Sequence, residues 1–312
     1  MRTPNFQEPN SQGRNSQGRN SQKAPPLRRS WIALGVGSWL LGFVALSSAS
    51  SPADDILRVV IAAAPVNFDP RIGTDRASQR VHQLVYNPLL TIDDQLRVVA
   101  EPPGLALRFD NPDPLTYIVQ LRPGVRFHDG RELTARDVVY TFGSFLEPGF
   151  LSPRKDGFRK MAGVRALGDY RVEFTLKDRF GAFPMQLVMP VVPADSGESL
   201  RSFPIGTGPY RFVRYVAGEQ VELSAYEGYW DGLPQNAGIT LRIVPDDTQR
   251  RLELQRGSAD LIINGDVVVA QPNIEGVRLS PQAGFAILKD VRKRQPYGAA
   301  LSGPSDRPPD HP

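Results

Sequence analysis

RFHDGRELTARDVVYTF, residues 126–142, packs one histidine and three carboxylates into a single short stretch. It reads either as a catalytic cluster or as the scaffold of something that only binds. The scaffold reading accounts for each residue. Residues 125–128 continue as a strand from which Phe127 points inward. Asp129-Gly130 makes a tight turn, with Gly130 at a positive φ that a side chain would resist. Thr134 caps a helix over 135–145, and Asp137 sits in its first turn, where the helix dipole favours a carboxylate. Val138, Val139 and Phe142 supply its apolar face. Catalysis would need His128 to work with Asp129 or Asp137 as a base pair. No strained G-x-S-x-G nucleophile turn accompanies them, and neighbours on a strand face opposite ways. The expectation is therefore a scaffold stretch with no catalytic residue; the rival reading is a secreted hydrolase using His128.

Working outward, LRVVIAAA at 57–64 reads as a buried strand, broken by Pro65 and Pro70. Residues 78–86 read as a helix capped by Ser78 and stopped at Asn87-Pro88. A short strand follows at 89–92. TYIVQL (116–121) and RVEFTLK (171–177) alternate as half-buried strands do. Residues 183–189 read as a short helix or turn. FPIGTGPY (203–210) is a rigid loop. Residues 210–215 and 220–225 form a hairpin, and 239–244 a strand. Residues 246–255 form a helix capped by Asp246 or Asp247 and stopped at Gly257, and 261–263 a last buried strand. The class is α/β and strand-rich, without strict alternation. ILKDVRKRQ at 287–295 reads as the start of a helix, whereas the last seventeen residues carry five prolines, too many missing N–H donors for regular structure.

The 312 residues include no cysteine, which excludes thiol catalysis, disulfides, Fe–S clusters and a lipid-anchoring lipobox. Three scattered histidines argue against a metal site built on imidazoles, and no motif asks for a cofactor. The net charge of +4 owes part of its excess to the two ends, so the middle carries no nucleic-acid stripe.

The N-terminal segment reads as an address. Residues 10–23 repeat NSQGR, too polar to offset their ordering entropy, so 1–30 is expected to be a disordered extension. Arg28-Arg29 then precedes WIALGVGSWLLGFVAL (31–46) and small residues through Ala49. A positive flank, a short apolar run and a small-residue cleavage site make 31–49 a secretory signal peptide. The mature chain would begin near Ser50 and work in the periplasm or elsewhere outside the cytoplasmic membrane. An uncleaved membrane anchor is the alternative. The adjacent arginines alone do not distinguish between export routes.

LRPGVRFHDGRELTARDVVYTF (121–142) resembles the signature of the family 5 extracytoplasmic solute-binding proteins, the peptide- and nickel-binding receptors of ABC importers. Five further stretches resemble that family in order: LRVVIAAAPVNFDP (57–70), LVYNPLLTID (84–93), FPIGTGPYRFVRY (203–215), YEGYWDGLP (226–234) and DDTQRRLELQRGSADLI (246–262). The resemblance implies a periplasmic-binding-protein-like fold, class II in the family 5 manner, whose first lobe holds a mixed sheet. It makes Phe127, Asp129, Gly130, Thr134 and Asp137 structural.

The resemblance also implies a monomeric receptor that traps a peptide, or a related small solute or nickel complex, between two lobes and delivers it to an ABC permease. Asn67, Phe68 and Asp69 follow the first strand's C-terminal end, where open α/β sheets present their crevices. They are either ligand contacts or an Asx-bonded turn. Gly206, Thr207 and Gly208 are either a hinge-and-cleft loop or a place where two backbones meet closely. Tyr229 and Trp230 could stack on a ligand or belong to the core. On this reading 50–265 is lobe I, 266–295 a partial crossover toward lobe II, and 296–312 a disordered proline-rich tail. The second lobe is missing or degenerate, as a frameshift or truncated gene model would leave it. A natural one-lobed variant and a non-functional fragment are the alternatives.

Overall fold

A run of branched apolar residues with both faces buried forms the centre of a parallel arrangement, and Ile56–Ile61 (β1) behaves so. In the computed structural model, which describes residues 55–264, 267–279 and 286–293, β1 lies between two parallel neighbours. The chain continues through α1 (Arg76–Val85), β2 (Thr91–Ile92), β3 (Val98–Val99), β4 (Ala106–Asp113), β5 (Thr116–Leu121) and α2 (Ala135–Gly143). It then runs through β6 (Met161–Ala166), β7 (Arg171–Leu176), α3 (Phe183–Gln186), β8 (Tyr210–Val216), β9 (Gln220–Ala225), β10 (Gly238–Ile243) and α4 (Asp247–Gln255). The remaining strands are β11 (Leu261–Asn264), β12 (Val267–Ala270), β13 (Ile274–Glu275), β14 (Arg278–Leu279), β15 (Ala286–Ile287) and β16 (Arg292–Lys293).

Two sheets organise two cores. The first is mixed, in the order β12-β11-β1-β10-β9-β8. Its inner face brings Leu57, Val59 and Ile61 against Val81 and Val85 of α1 and against Tyr210, Leu223 and Leu241. On its other face Val60 meets Val244 and Ala259 at the two ends of α4. The second sheet is antiparallel, in the order β4-β5-β7-β6. Alternation on β5 and β7 aligns Tyr117, Val119 and Leu121 with Val172, Phe174 and Leu176 on the buried side. Helix α2 covers that side, with Phe142 edge-on to Phe174 at 5.2 Å. Ile205 packs against both cores.

The capping expected at α2 is present: Asp137 accepts the backbone N–H of Thr134 at 2.9 Å and its hydroxyl at 3.2 Å. Three expectations are corrected. Residues 125–128 form no strand ladder, only an isolated bridge between Arg126 and Glu132. Turns at Gly124 (φ 78°) and Gly130 (φ 89°) leave the run too short, and the N–H of His128 is drawn off to Gly206. The cap of α1 is Asp75, which accepts from Ser78 N, whereas Ser78 Oγ accepts the N–H groups of Val66 and Asn67. Described residues 287–293 are a turn between short strands and not a helix start. Asn236 donates to the carbonyls of Leu288 and Val291, holding the two ends of that turn. The NSQGR repeats, residues 31–49 and 296–312 lie outside the described residues.

β1 is tied to β11 by more than its ladder. Asp260, at the start of β11, accepts Arg58 N at 2.8 Å and Arg58 Nη2 at 2.7 Å, with Lys293 Nζ 3.0 Å away. Burial alone would raise this carboxyl, but the Arg58 and Lys293 contacts win and hold it below the usual aspartate range. Its contribution to stability is therefore fully present above the unfolded pKa and is lost as pH falls through the lower folded value. Asp260→Asn should cost roughly 1–3 kcal/mol at neutral pH, since Arg58 is partly solvated. It should also flatten the acid limb of urea-unfolding stability below about pH 4; an unchanged limb would remove Asp260 as its source.

Candidate functional site

The loop after β1 folds back on itself because its polar groups find one another. Asn67 Oδ1 accepts Asp69 N at 2.9 Å, an Asx turn. Asp69 takes Arg71 in a two-point pair, Nη2 to Oδ2 at 2.8 Å, with both side chains nearly inaccessible. The Arg71 guanidinium lies over the rings of Tyr140 and Phe150, at 5.1 and 5.0 Å. Phe68 is buried beside Phe212 and Tyr215. Ser152 and Arg154 reach this loop from the segment after α2, Ser152 Oγ donating to Arg71 O and Arg154 Nε to Pro70 O at 3.1 Å.

The histidine of the opening motif has an equally internal task. His128 Nδ1 accepts Gly206 N at 3.3 Å, which leaves Nε2 as the protonated nitrogen facing Gly208 O at 2.9 Å. His128 N donates to Gly206 O at 2.9 Å as well. Asp129 pairs with Arg131 instead, and Asp137 Oδ1 accepts Ala194 N, so no His–Asp pair forms. The two glycines are demanded by proximity: a Cβ on Gly208 would sit 2.6 Å from the carbonyl carbon of Val85. Between them Thr207, fully buried, donates to Asn87 Oδ1 at 3.0 Å. Asn87 Oδ1 also accepts Trp230 Nε1, and its amide donates to the Tyr229 hydroxyl at 3.1 Å. Four separately quoted stretches thus converge on one knot.

Beside this knot lies a cleft of about 690 Å³. Pro70, His82, Tyr86, Asn87, Arg154, Pro209 and Tyr229 are among its walls, together with the charged residues Asp93, Asp94, Glu101, Asp231, Lys289 and Asp290. None of Asn67, Phe68, Asp69, Gly206, Thr207 or Gly208 lines it; the prolines that follow each triplet do. Phe68, Asp69 and Thr207 are spent on the interior. Tyr229 borders the cleft, while Trp230 packs on the second core beneath Arg122.

Sequence reading missed Arg154 and the acidic rim. These are single polar residues in loops with no periodic pattern, and only their meeting in space marks them. His82 Nε2 contacts Asn67 O at 3.0 Å, and burial, assisted by the nearby Arg154 charge, pushes the ring down to about 4. His128 is pushed to about 4 by burial. No group of three or more potential metal ligands occurs among the described residues.

A mixed sheet and an antiparallel sheet, knotted at Asn87 and His128 beside an open cleft, have the fold of roughly one lobe of a periplasmic binding protein. Residues 102–288 match the model of the bacterial extracellular solute-binding proteins, family 5 middle region, and the chain belongs to that family. It is 31% identical over 206 residues to the oligopeptide-binding protein AppA of Bacillus subtilis, covering 62% of this chain and 38% of AppA. It is 34% identical over 210 residues to the glutathione-binding protein GsiB of Pectobacterium atrosepticum, covering 64% of this chain and 40% of GsiB. Among solved structures, it superposes on Bacillus subtilis AppA in complex with a nonapeptide with a TM-score of 0.64 and 28% identity, over 72% of this chain and 48% of AppA. NikZ of Campylobacter jejuni in complex with Ni(L-His) gives 0.63 and 26%, over 72% and 47%. The chain spans less than half the length of these relatives.

The two neutral, buried histidines carry a pH consequence. Their folded pKa lies below the unfolded value near 6.5, so stability is complete above about pH 6.5 and is lost as pH falls toward 4. Each histidine should remove on the order of 3 kcal/mol across that window. Replacing either His82 or His128 by Gln should roughly halve the slope of unfolding free energy against pH between 6.5 and 4.5, measured by urea titration. An unaltered slope would mean that the ring is charged in the native state.

Proposed function

We propose that this chain supplies the first lobe, residues 50–265, of an extracytoplasmic receptor that binds a peptide or a related small solute for an ABC importer. Export would follow from the signal peptide at 31–49, and delivery would be to a membrane permease. What carries the reading is the cleft: a half-open, mixed-polarity recess of about 690 Å³ beside the motif knot, in a chain of this family. Such a recess suits a ligand of a few residues, held by polar contacts at defined points. The named ligands of its relatives are an oligopeptide, glutathione and a nickel–histidine complex, and the peptide class is the one most of them share.

The site supports holding and not converting. Both ring nitrogens of His128 are occupied by backbone partners, and neither neighbouring carboxylate reaches it. A ligand in the cleft would face this lobe on one side and need a second lobe to close over it by hinge motion. Residues 266–295 would lead toward that lobe.

Calorimetric titration of the purified chain with tri- to pentapeptides tests the proposal. The expected result is saturable binding no tighter than micromolar, because one wall leaves the ligand half solvated. Nanomolar affinity would contradict the need for a second lobe. Turnover of a chromogenic ester or peptide that disappears in His128→Ala would replace the receptor reading with the hydrolase.

A further inference from the structure

The cleft wall carries two permanent cations. Lys289 is neutralised by Asp231 at 2.7 Å. Arg154 is not neutralised: its Nε donates to Pro70 O, and no carboxylate among the described residues pairs with its guanidinium. Two ion pairs near it are already closed. Arg71 has Asp69, and Asp93 has Arg97. Taking a guanidinium partly out of water without a counter-charge is costly, and burial does depress the pKa of Arg154 with nothing offsetting it. The one contact it makes also aims it. With Nε committed to the backbone of the β1 loop, the two terminal nitrogens are left as a fork, the geometry that takes a carboxylate through two parallel hydrogen bonds.

We propose that Arg154 is the anion anchor of the cleft and receives the carboxylate of the bound solute. This deepens the receptor reading and rests on it. The acidic groups on the same walls, Asp94 and Glu101, sharpen the choice of ligand. They repel a polyanion and favour a solute with one carboxylate and a cationic group elsewhere, which is the charge pattern of a zwitterion. Arg154 belongs to the loop after α2 on the second core, whereas Pro70, which it grips, belongs to the first, so the anchor stands where the two cores meet.

The test uses the full chain with ¹⁵N-labelled arginine and reads the Nε signal of Arg154, assigned by its disappearance in Arg154→Gln. N-acetylalanine, trialanine and N-acetylalaninamide are titrated at millimolar concentration. The expected result is a saturable shift with the two acids and none with the amide. Followed through the His82 ring signals, binding of the acids should weaken about 10- to 100-fold in Arg154→Gln. Arg154→Lys, which keeps the charge and loses the fork, should fall between. It also provides the assignment should the glutamine variant not fold.

Equal responses to acid and amide, or no response of the Arg154 signal to any carboxylate, would overturn the anchor. A response to N-acetylalanine without one to trialanine would uphold the anchor and remove the peptide reading.

Discussion

The structure depends on one buried contact, the two-sided grip of His128 on the backbone of Gly206 and Gly208. An imidazole that accepts at Nδ1 and donates at Nε2 can join two strandless segments that no sheet would pair. Here it joins the turn that leads into α2, in the antiparallel half, to the loop that leads into β8, in the mixed half. Because the ring must be neutral to accept, the junction is made only where water is excluded. The edge-on ring of Tyr226, 4.9 Å away, and the donation of its hydroxyl to Phe127 O complete the exclusion. The site inherits its shape from this junction. Thr207, held between the gripped glycines, orients Asn87, and Asn87 orients Tyr229 on the cleft wall.

Electrostatics divides the neighbourhood into two kinds of charge. One kind is closed upon itself: Asp69 with Arg71 between two aromatic rings, and Asp260 with Arg58 and Lys293 at the sheet. Such pairs recover in hydrogen bonds what they lose in hydration. Arg154, on the cleft wall, has no carboxylate partner among the described residues. That contrast distinguishes it from Arg58 and Arg71 more sharply than residue type does.

The legibility of the chain followed the same division. Strands β5 and β7 were readable because alternation is imposed by one buried face, and β1 because both of its faces are covered. The end of α4 was readable because Gly257 adopts a positive φ at its C-terminus. The turn at Gly130 and the cap at Asp137 were readable too, since turn glycines and a capping carboxylate state their local conformation in the sequence. Residues 125–128 misled because Phe127 is buried in the second core without a strand ladder, while the N–H of His128 is committed to Gly206, far along the chain. The stretch at 287–293 misled because Asn236, not local propensity, decides its backbone. Arg154 was invisible for the converse reason: a lone arginine in a loop has no pattern, and only the fold shows that it lines the cleft with no carboxylate among the described residues paired to it.

The position of β1 has a bearing on how the molecule comes to exist. This strand is the spine of the mixed sheet, yet its flanking strands, β10 and β11, are encoded near the far end of the described chain. A ribosome releases the spine long before its ribs, whereas β4 through β7 and α2 are contiguous and can assemble between those events. Loop closure over so long a separation is slow. The newborn polypeptide therefore carries an antiparallel half able to form and a waiting, uncovered hydrophobic strand until β10 and β11 emerge, the condition in which a chain can still be held by a chaperone before it locks.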